Sequence, residues 1–291
     1  MIDYWRVKNW EFPEVEHTYS QRDTMLYALG LGLGAEPLSS AHLAFVYEQG
    51  EEPLRAVPSM ACVLALPGQW VRDPATGIDW IRLVHGEQRL EILRPIPSEG
   101  TVVGRTRVTS VVDKGAGKGA LIHTERMIHD KASGAHLATV QEVRFCRGDG
   151  GYSATGQPSD QPLPALKAVP DSPPDAVWQV DTRRDMALIY RLSGDYNPLH
   201  ADPKVARIAG YQRPILHGLA TYGLACRALL ETCCEGRVER LRGLDTRFTA
   251  PVLPGDSIAV QMWRVGEEVA FRAIATERGV VVLNHGNARL G

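Results

Sequence analysis

This chain of 291 residues lacks any strong excess of charge: Lys and Arg total 32, Asp and Glu 34, a formal balance of −2. A surface so evenly balanced has no basic field to hold nucleic acid or an anionic membrane, so neither is an expected partner. Cysteine is scarce and irregular. The five residues, Cys62, Cys146, Cys226, Cys233 and Cys234, are odd in number, and the adjacent pair cannot readily bridge to itself. Free thiols in a reducing compartment are expected. No apolar run is long enough to span a bilayer. The opening Met1-Ile-Asp-Tyr-Trp-Arg has no signal-peptide core, and the final Ala-Arg-Leu-Gly291 is not a peroxisomal address. A cytoplasmic location is therefore expected. No Cys/His/Asp/Glu set has metal-ligand spacing, so no metal is expected. Lys114-Gly-Ala-Gly-Lys-Gly119 lacks phosphate-loop spacing and a following helix, and it reads as a turn. With no dinucleotide fingerprint either, no bound cofactor is expected.

What is present suits a globular protein of two domains or one large one, with 44% apolar residues for its core. Pro and Gly crowd the stretch from Gly148 to Ala176, which reads as a linker over 151–176 between an N-terminal domain (1–150) and a C-terminal domain (177–291). The halves echo each other. Tyr27-Ala-Leu-Gly-Leu-Gly32 aligns with Tyr190-Arg-Leu-Ser-Gly-Asp195, Val57-Pro-Ser-Met-Ala-Cys62 with Arg213-Pro-Ile-Leu-His-Gly218, and Arg94-Pro-Ile-Pro97 with Ala250-Pro-Val-Leu253. Three echoes in one order point to duplication. Each half then runs from a polar loop through an apolar helical stretch into long alternating segments. In the first half these are 101–113, 120–130 and 136–147; in the second they are 257–265, 269–277 and 280–290. Tight turns separate them, as expected of antiparallel hairpins. One buried helix with an antiparallel meander makes an α+β class.

The chemistry concentrates in Tyr190-Arg-Leu-Ser-Gly-Asp-Tyr-Asn-Pro-Leu-His200. Gly194, Asn197 and Pro198 force a turn, which sets the Asp195 carboxylate near the His200 imidazole. An acid and a base on one fixed loop can share a water, one giving a proton while the other takes one. Asp195 and Asn197 can equally serve the turn by bonding to its backbone. Asp202-Pro203 begins a short helix and Gly210 ends it. The apolar stretch Leu219 to Leu230 is a helix apolar on nearly all sides, hence wrapped by other structure. Its free first amides near Gly218 favour an anion, although Gly218 can also be a close-packing position. His217, alone in apolar surroundings, is expected to be a hydrogen-bonded core residue. His85-Gly-Glu-Gln88 is expected to be structural, at the domain junction.

These residues resemble the signature of the MaoC-like (R)-specific enoyl-CoA hydratases, or hydratase 2. The pattern is carried by Tyr190, Ser193, Gly194, Asp195, Asn197, Pro198, Leu199, His200, Ala206 and Pro214 to Gly218. It continues through Arg247 to Asp256, Met262-Trp263, Arg22 to Gly30 and Leu83 to Gln88, so it covers nearly the whole chain. The resemblance implies a double hot-dog fold, each half a long apolar helix wrapped by antiparallel sheet. It implies hydration of a trans-2-enoyl-CoA to the (R)-3-hydroxyacyl-CoA, or the reverse. His200 would act as base toward water and Asp195 as proton donor, with the opposite assignment left open. Asn197 would orient Asp195 or the water, and the Gly218 amide would hold the enolate oxygen. Coenzyme A would enter only as part of the substrate, its phosphates near Lys204, Arg207, Arg213 and Arg247. In the first half Gly32 and Pro37 stand where Asp195 and His200 stand, so that half is expected to house the acyl tail. A branched or dicarboxylic (mesaconyl-CoA-like) substrate, a thioesterase and a non-catalytic acyl-CoA-binding module are the alternatives. A fused pair of this kind works alone or as a homodimer.

Overall fold

The computed structural model describes residues 1–291. The first half contains α1 (Tyr4–Lys8), β1 (Val15–Tyr19), α2 (Gln21–Gly30), α3 (Ser40–Val46), β2 (Leu83–Ile92), β3 (Gly100–Asp113), β4 (Ala120–Asp130) and β5 (His136–Cys146). The second contains β6 (Ala176–Asp181), α4 (Met186–Tyr190), α5 (Pro203–Ile208), α6 (Gly218–Cys233), β7 (Leu241–Phe248), β8 (Ser257–Val265), β9 (Glu268–Ala275) and β10 (Val280–Leu290). The long strands fall where period-2 alternation put them, because each buries one face on the helices.

All ten strands form one sheet in the order β1-β3-β4-β5-β2-β7-β10-β9-β8-β6. The order is a palindrome: each first-half strand has its counterpart at the same distance on the other side of the β2–β7 seam. The sequence echoes are therefore structural. Tyr27 and Tyr190, equivalent by the echo, pack on each other across the centre with ring centroids 5.7 Å apart. At the seam Glu87 stands opposite Arg247 and Leu90 opposite Leu244. This is the α+β double hot-dog arrangement.

The helix α6 is the hub of a core of 52 buried residues that draws on both halves. Leu224, Leu229, Leu230 and Tyr222 are all at most 2% exposed. Each contributes on the order of 1.5–3 kcal/mol by burial. Tyr222 donates its hydroxyl to the Leu244 carbonyl at 2.7 Å, which ties the helix to β7. Its small residues let the first half approach closely.

The expected long helix of the first half is absent, and this corrects the sequence-based picture. Where the repeat places it there is only a 3-10 segment, Pro58–Val63. The chain then turns at Ala65, with φ of 49°, and meets Pro67-Gly68 and Pro74, which stop any helix from continuing. The 151–176 segment has little regular structure beyond a 3-10 turn at Tyr152–Thr155, yet it is fastened down. Asp160 accepts from the Val111 amide, Lys8 and Tyr4, and the Trp263 indole donates to the Ser172 carbonyl.

A β-carbon at Gly223 would sit 2.5 Å from Leu31 Cδ2 and 3.0 Å from its Cδ1. Leu31 is fully buried and cannot swing into solvent. Gly223→Val is expected to cost about 3 kcal/mol by overpacking. Gly223→Ala adds the same β-carbon, and about 1 kcal/mol of regained helix propensity offsets part of its cost. Chemical denaturation measures both; an unchanged midpoint for Gly223→Val would show that the contact between α6 and the first half is loose.

Candidate functional site

The Asp195 loop is held by its own side chains. Gly194 adopts φ of 122°, a conformation other residues rarely reach. The Asn197 amide donates to Asp195 Oδ1 at 3.1 Å, and the Leu199 amide donates to Asn197 Oδ1 at 3.2 Å. Asn197 therefore orders the loop through its backbone toward Asp195 and through its side chain toward the turn. A 3-10 turn, Pro198–His200, then delivers His200 into the interior. The helix α5 follows, capped by Asp202 as expected.

His200 is 8% exposed, and its Nδ1 lies 2.9 Å from the Ile215 carbonyl oxygen. A carbonyl only accepts, so Nδ1 carries the proton and Nε2 keeps its lone pair. Burial pushes the His200 pKa below the ordinary histidine value, against smaller upward pulls from that hydrogen bond and from Asp195. The ring is neutral near pH 7.

His217 is the residue that sequence reasoning undervalued. It is a buried histidine with Nε2 bonded and Nδ1 without a partner, and its position places it beside Asp195 and His200. Its ring stacks on that of His200 at 3.8 Å with 28° between planes. Its Nε2–H donates to the backbone carbonyl of Asp195 at 3.1 Å. One imidazole thus touches both the His200 ring and the Asp195 backbone. Burial, and then repulsion from His200, hold its pKa well below the ordinary histidine value. Its spacing of one residue before Gly218 was the available signal.

Donor atoms of Asp195, His200 and His217 lie within 4.8 Å of one another. A single water with hydrogen bonds of about 2.7–2.9 Å spans such a gap.

Gly218 opens α6, so its amide has no partner within the helix. It is also tightly packed: a β-carbon there would meet Phe248 Cε1 at 3.2 Å. Phe248 in turn lies against His85, ring centroids 4.7 Å apart. His85 faces the same cleft as Asp195, whereas Glu87 binds Arg247 across the seam and Gln88 donates to the Gln141 carbonyl of β5. His85-Gly-Glu-Gln88 thus sits at the junction, with its first residue also lining the site.

The cleft has a volume of about 460 Å³ and takes its walls from both halves. Val63, Leu66, Leu83 and Glu142 face Gly194 to Pro198 and Leu219 across it. Burial alone would raise the Glu142 carboxyl, but Arg144, His85 and Arg126 overrule it and hold the pKa at about 2. Of the expected phosphate ligands, Lys204, Arg207 and Arg213 are exposed near the loop. Arg247 is bound to Glu87 through Nε at 3.0 Å and Nη2 at 2.7 Å.

Comparison with known families matches residues 165–285 to the MaoC like domain and residues 17–148 to the MFE-2 hydratase 2 N-terminal domain. The chain belongs to the MaoC-like hydratase 2 family. A relative from Dictyostelium discoideum named probable enoyl-CoA hydratase 2 is 39% identical, over 99% of this chain and 96% of its own length. The peroxisomal enoyl-CoA hydratase 2 of Arabidopsis thaliana is 36% identical, over 94% and 91%. The crystal structure of a MaoC-like dehydratase from Phytophthora capsici superposes with a TM-score of 0.87 at 36% identity, covering 100% of this chain and 99% of that one. No helix of the chain is long and apolar enough to cross a membrane.

Glu142→Gln leaves two arginines facing a neutral amide. A loss of about 3 kcal/mol is expected from breaking such a buried pair. The sign with pH follows from the depressed carboxyl: its contribution is present above the unfolded value of about 4.3 and is lost as pH falls toward about 2. Denaturant titrations from pH 5 to pH 2 should therefore show the wild type converging on the variant. A constant gap would mean that Glu142 is not held ionised by its arginines.

Proposed function

We propose that the chain is a hydro-lyase that adds water reversibly to a trans-2-enoyl-CoA, giving the (R)-3-hydroxyacyl-CoA. The observation that carries this reading is a neutral His200, its Nδ1 taken by the Ile215 carbonyl and its Nε2 freed, on a ring with a nitrogen within 4.8 Å of an Asp195 carboxylate oxygen. Family membership supports it, and the (R) outcome rests on the family alone.

In the forward direction His200 Nε2 takes a proton from the water as its oxygen bonds to the β-carbon. The double-bond electrons move toward the thioester carbonyl, whose oxygen gains enolate charge. The Gly218 amide, at the positive end of α6, stabilises that charge. Asp195 then gives its proton to the α-carbon. Solvent returns the proton from His200 to Asp195 and resets the pair. Dehydration runs the same steps backward. Coenzyme A enters with the substrate, and no other cofactor takes part. Lys204, Arg207 and Arg213 are the free cations for its phosphates, while Arg247 would have to share its guanidinium with Glu87. The acyl tail would extend toward the first half, where Val63, Leu66 and Leu83 line the cleft and no long helix fills the space.

Asp195→Asn removes the transferable proton and is expected to lower kcat by about 10²–10⁴-fold while saturated thioesters still bind. The readout is the loss of conjugated enoyl-thioester absorbance. In the wild type, kcat/KM should fall on the acid side with a midpoint below about 6.5, because a base of lowered pKa stays active until it is protonated. Wild-type-like turnover by Asp195→Asn would sink the assignment.

His217→Leu removes both the stack and the donor to Asp195. A fall in kcat of about 10–100-fold is expected, by analogy with residues that orient a reacting group from behind. His217→Gln keeps an N–H for the Asp195 carbonyl and should recover part of that loss. Equal rates for the two variants would assign His217 to packing alone.

A further inference from the structure

The wall of the cleft opposite Asp195 is built from the first half and carries more positive charge than negative. Glu142 already serves two arginines. Arg144 Nη2 bonds its Oε2 at 2.8 Å, and Arg126 Nη1 lies 3.9 Å from its Oε1. Arg72 faces the same cleft with no carboxylate partner, its guanidinium 4.5 Å from the Trp80 ring centroid. On this first-half wall the lining groups Arg72 and Arg144 stand against Glu142 alone, which leaves one net positive charge on it. The Arg144 guanidinium lies 5.7 Å from the Trp70 ring centroid, and its Nη1 is buried with no hydrogen-bond partner. Trp70 and Arg72 share one 3-10 turn, Trp70–Arg72, which Trp10 and Phe12 brace through the buried Trp70 ring. Two guanidiniums supported on indole faces are preoriented, and a planar fork of N–H groups fits a carboxylate or phosphate.

We propose that Arg72 and Arg144 form an anion-binding end of the cleft, which takes a carboxylate or phosphate group of the thioester held at Asp195 and His200. The inference rests on the thioester reading above and adds the polarity of what fills the first-half side. Two parts of such a substrate carry that chemistry: the nucleotide phosphates of coenzyme A and a carboxylate at the far end of the acyl chain. A purely alkyl tail would leave both guanidiniums unused.

Saturated thioesters have no double bond to hydrate, so their binding is measured apart from turnover. Calorimetric titrations with hexanoyl-CoA, adipoyl-CoA and the two matching pantetheine thioesters separate the sources. The wild type is compared with Arg72→Gln, an exposed position whose loss leaves the core intact, and with Arg144→Lys, which keeps the charge beside Glu142 but loses the planar fork. If the phosphates bind there, both variants weaken the two CoA thioesters about tenfold and leave the pantetheine thioesters unchanged. If an acyl carboxylate binds there, both adipoyl thioesters weaken and both hexanoyl thioesters do not. Either pattern supports the site. Unchanged affinity for all four ligands in Arg72→Gln overturns it, as does a wild-type chain that binds none of them. Variant-sensitive binding without any hydration of enoyl-CoAs by the wild type would retire the proposed reaction and leave the anion-binding end in place.

Discussion

The antiparallel pairing of β2 with β7 is the constraint on which the rest of the structure depends. It turns two half-sheets into one and sets the halves face to face about a common seam. The Asp195 loop belongs to one half, and the wall it faces, Val63 to Arg72 with Glu142 and Arg144, belongs to the other. Neither half contains the cleft alone. The seam has a polar device of its own, since Glu87 holds Arg247 across it and Arg89 beside it. A one-residue slip there would turn these groups to the wrong face and expose Leu90 and Leu244. Register at the seam is therefore also register at the site.

A duplicated scaffold lets one half carry Asp195 and His200 while the other carries neither. Gly32 stands where Asp195 stands, at φ of 76°, and a β-carbon there would lie 3.0 Å from Arg227 Nη1. Arg227 reaches that spot from α6, donates to the Leu31 carbonyl at 3.0 Å and is fixed by Glu231 at 2.6 Å. The position that holds a carboxylate in one half is thus occupied by a buried guanidinium in the other. The asymmetry extends to the helices. One long helix fills the centre, and its would-be counterpart is reduced to Pro58–Val63, whose Ser59 accepts the Tyr27 hydroxyl at 2.9 Å. Room for two central helices became room for one helix and a cleft.

The strands were legible because their alternation reflects a sheet with one buried face, as at 120–130 and 257–265, where the observed limits coincide with the period-2 segments. The loop was legible because Gly194, Asn197 and Pro198 are residues whose backbone preferences fix a turn locally. The missing first-half helix was not legible, because the echo at Val57–Cys62 repeats the approach to the helix and not the helix itself. His217 was hidden for a related reason. A lone histidine among apolar residues looks the same whether it satisfies a core or braces a neighbour, and only its contacts with His200 and Asp195 tell these apart. Arg247 looked like a free cation until the seam placed Glu87 opposite it.

The electrostatics of the site follow from where water is excluded. Burial makes an imidazolium costly, and two stacked imidazoles make a second positive charge costlier still, so His200 and His217 rest neutral. Deprotonating a water beside them therefore creates charge rather than moving it, and that charge needs a nearby opposite. In the proposed hydration, the thioester oxygen would become negative at the start of α6 as His200 becomes positive, and Asp195 would be left negative once it has protonated the α-carbon. On that proposal the arginines across the cleft would favour those negative states, and Glu142, paired with Arg144 and near Arg126, would limit their excess. A neutral base, a helix end with free amides and a partly compensated arginine wall are each modest alone. Grouped around one cleft beside a buried imidazole, they act where charge interactions are worth more than in bulk water.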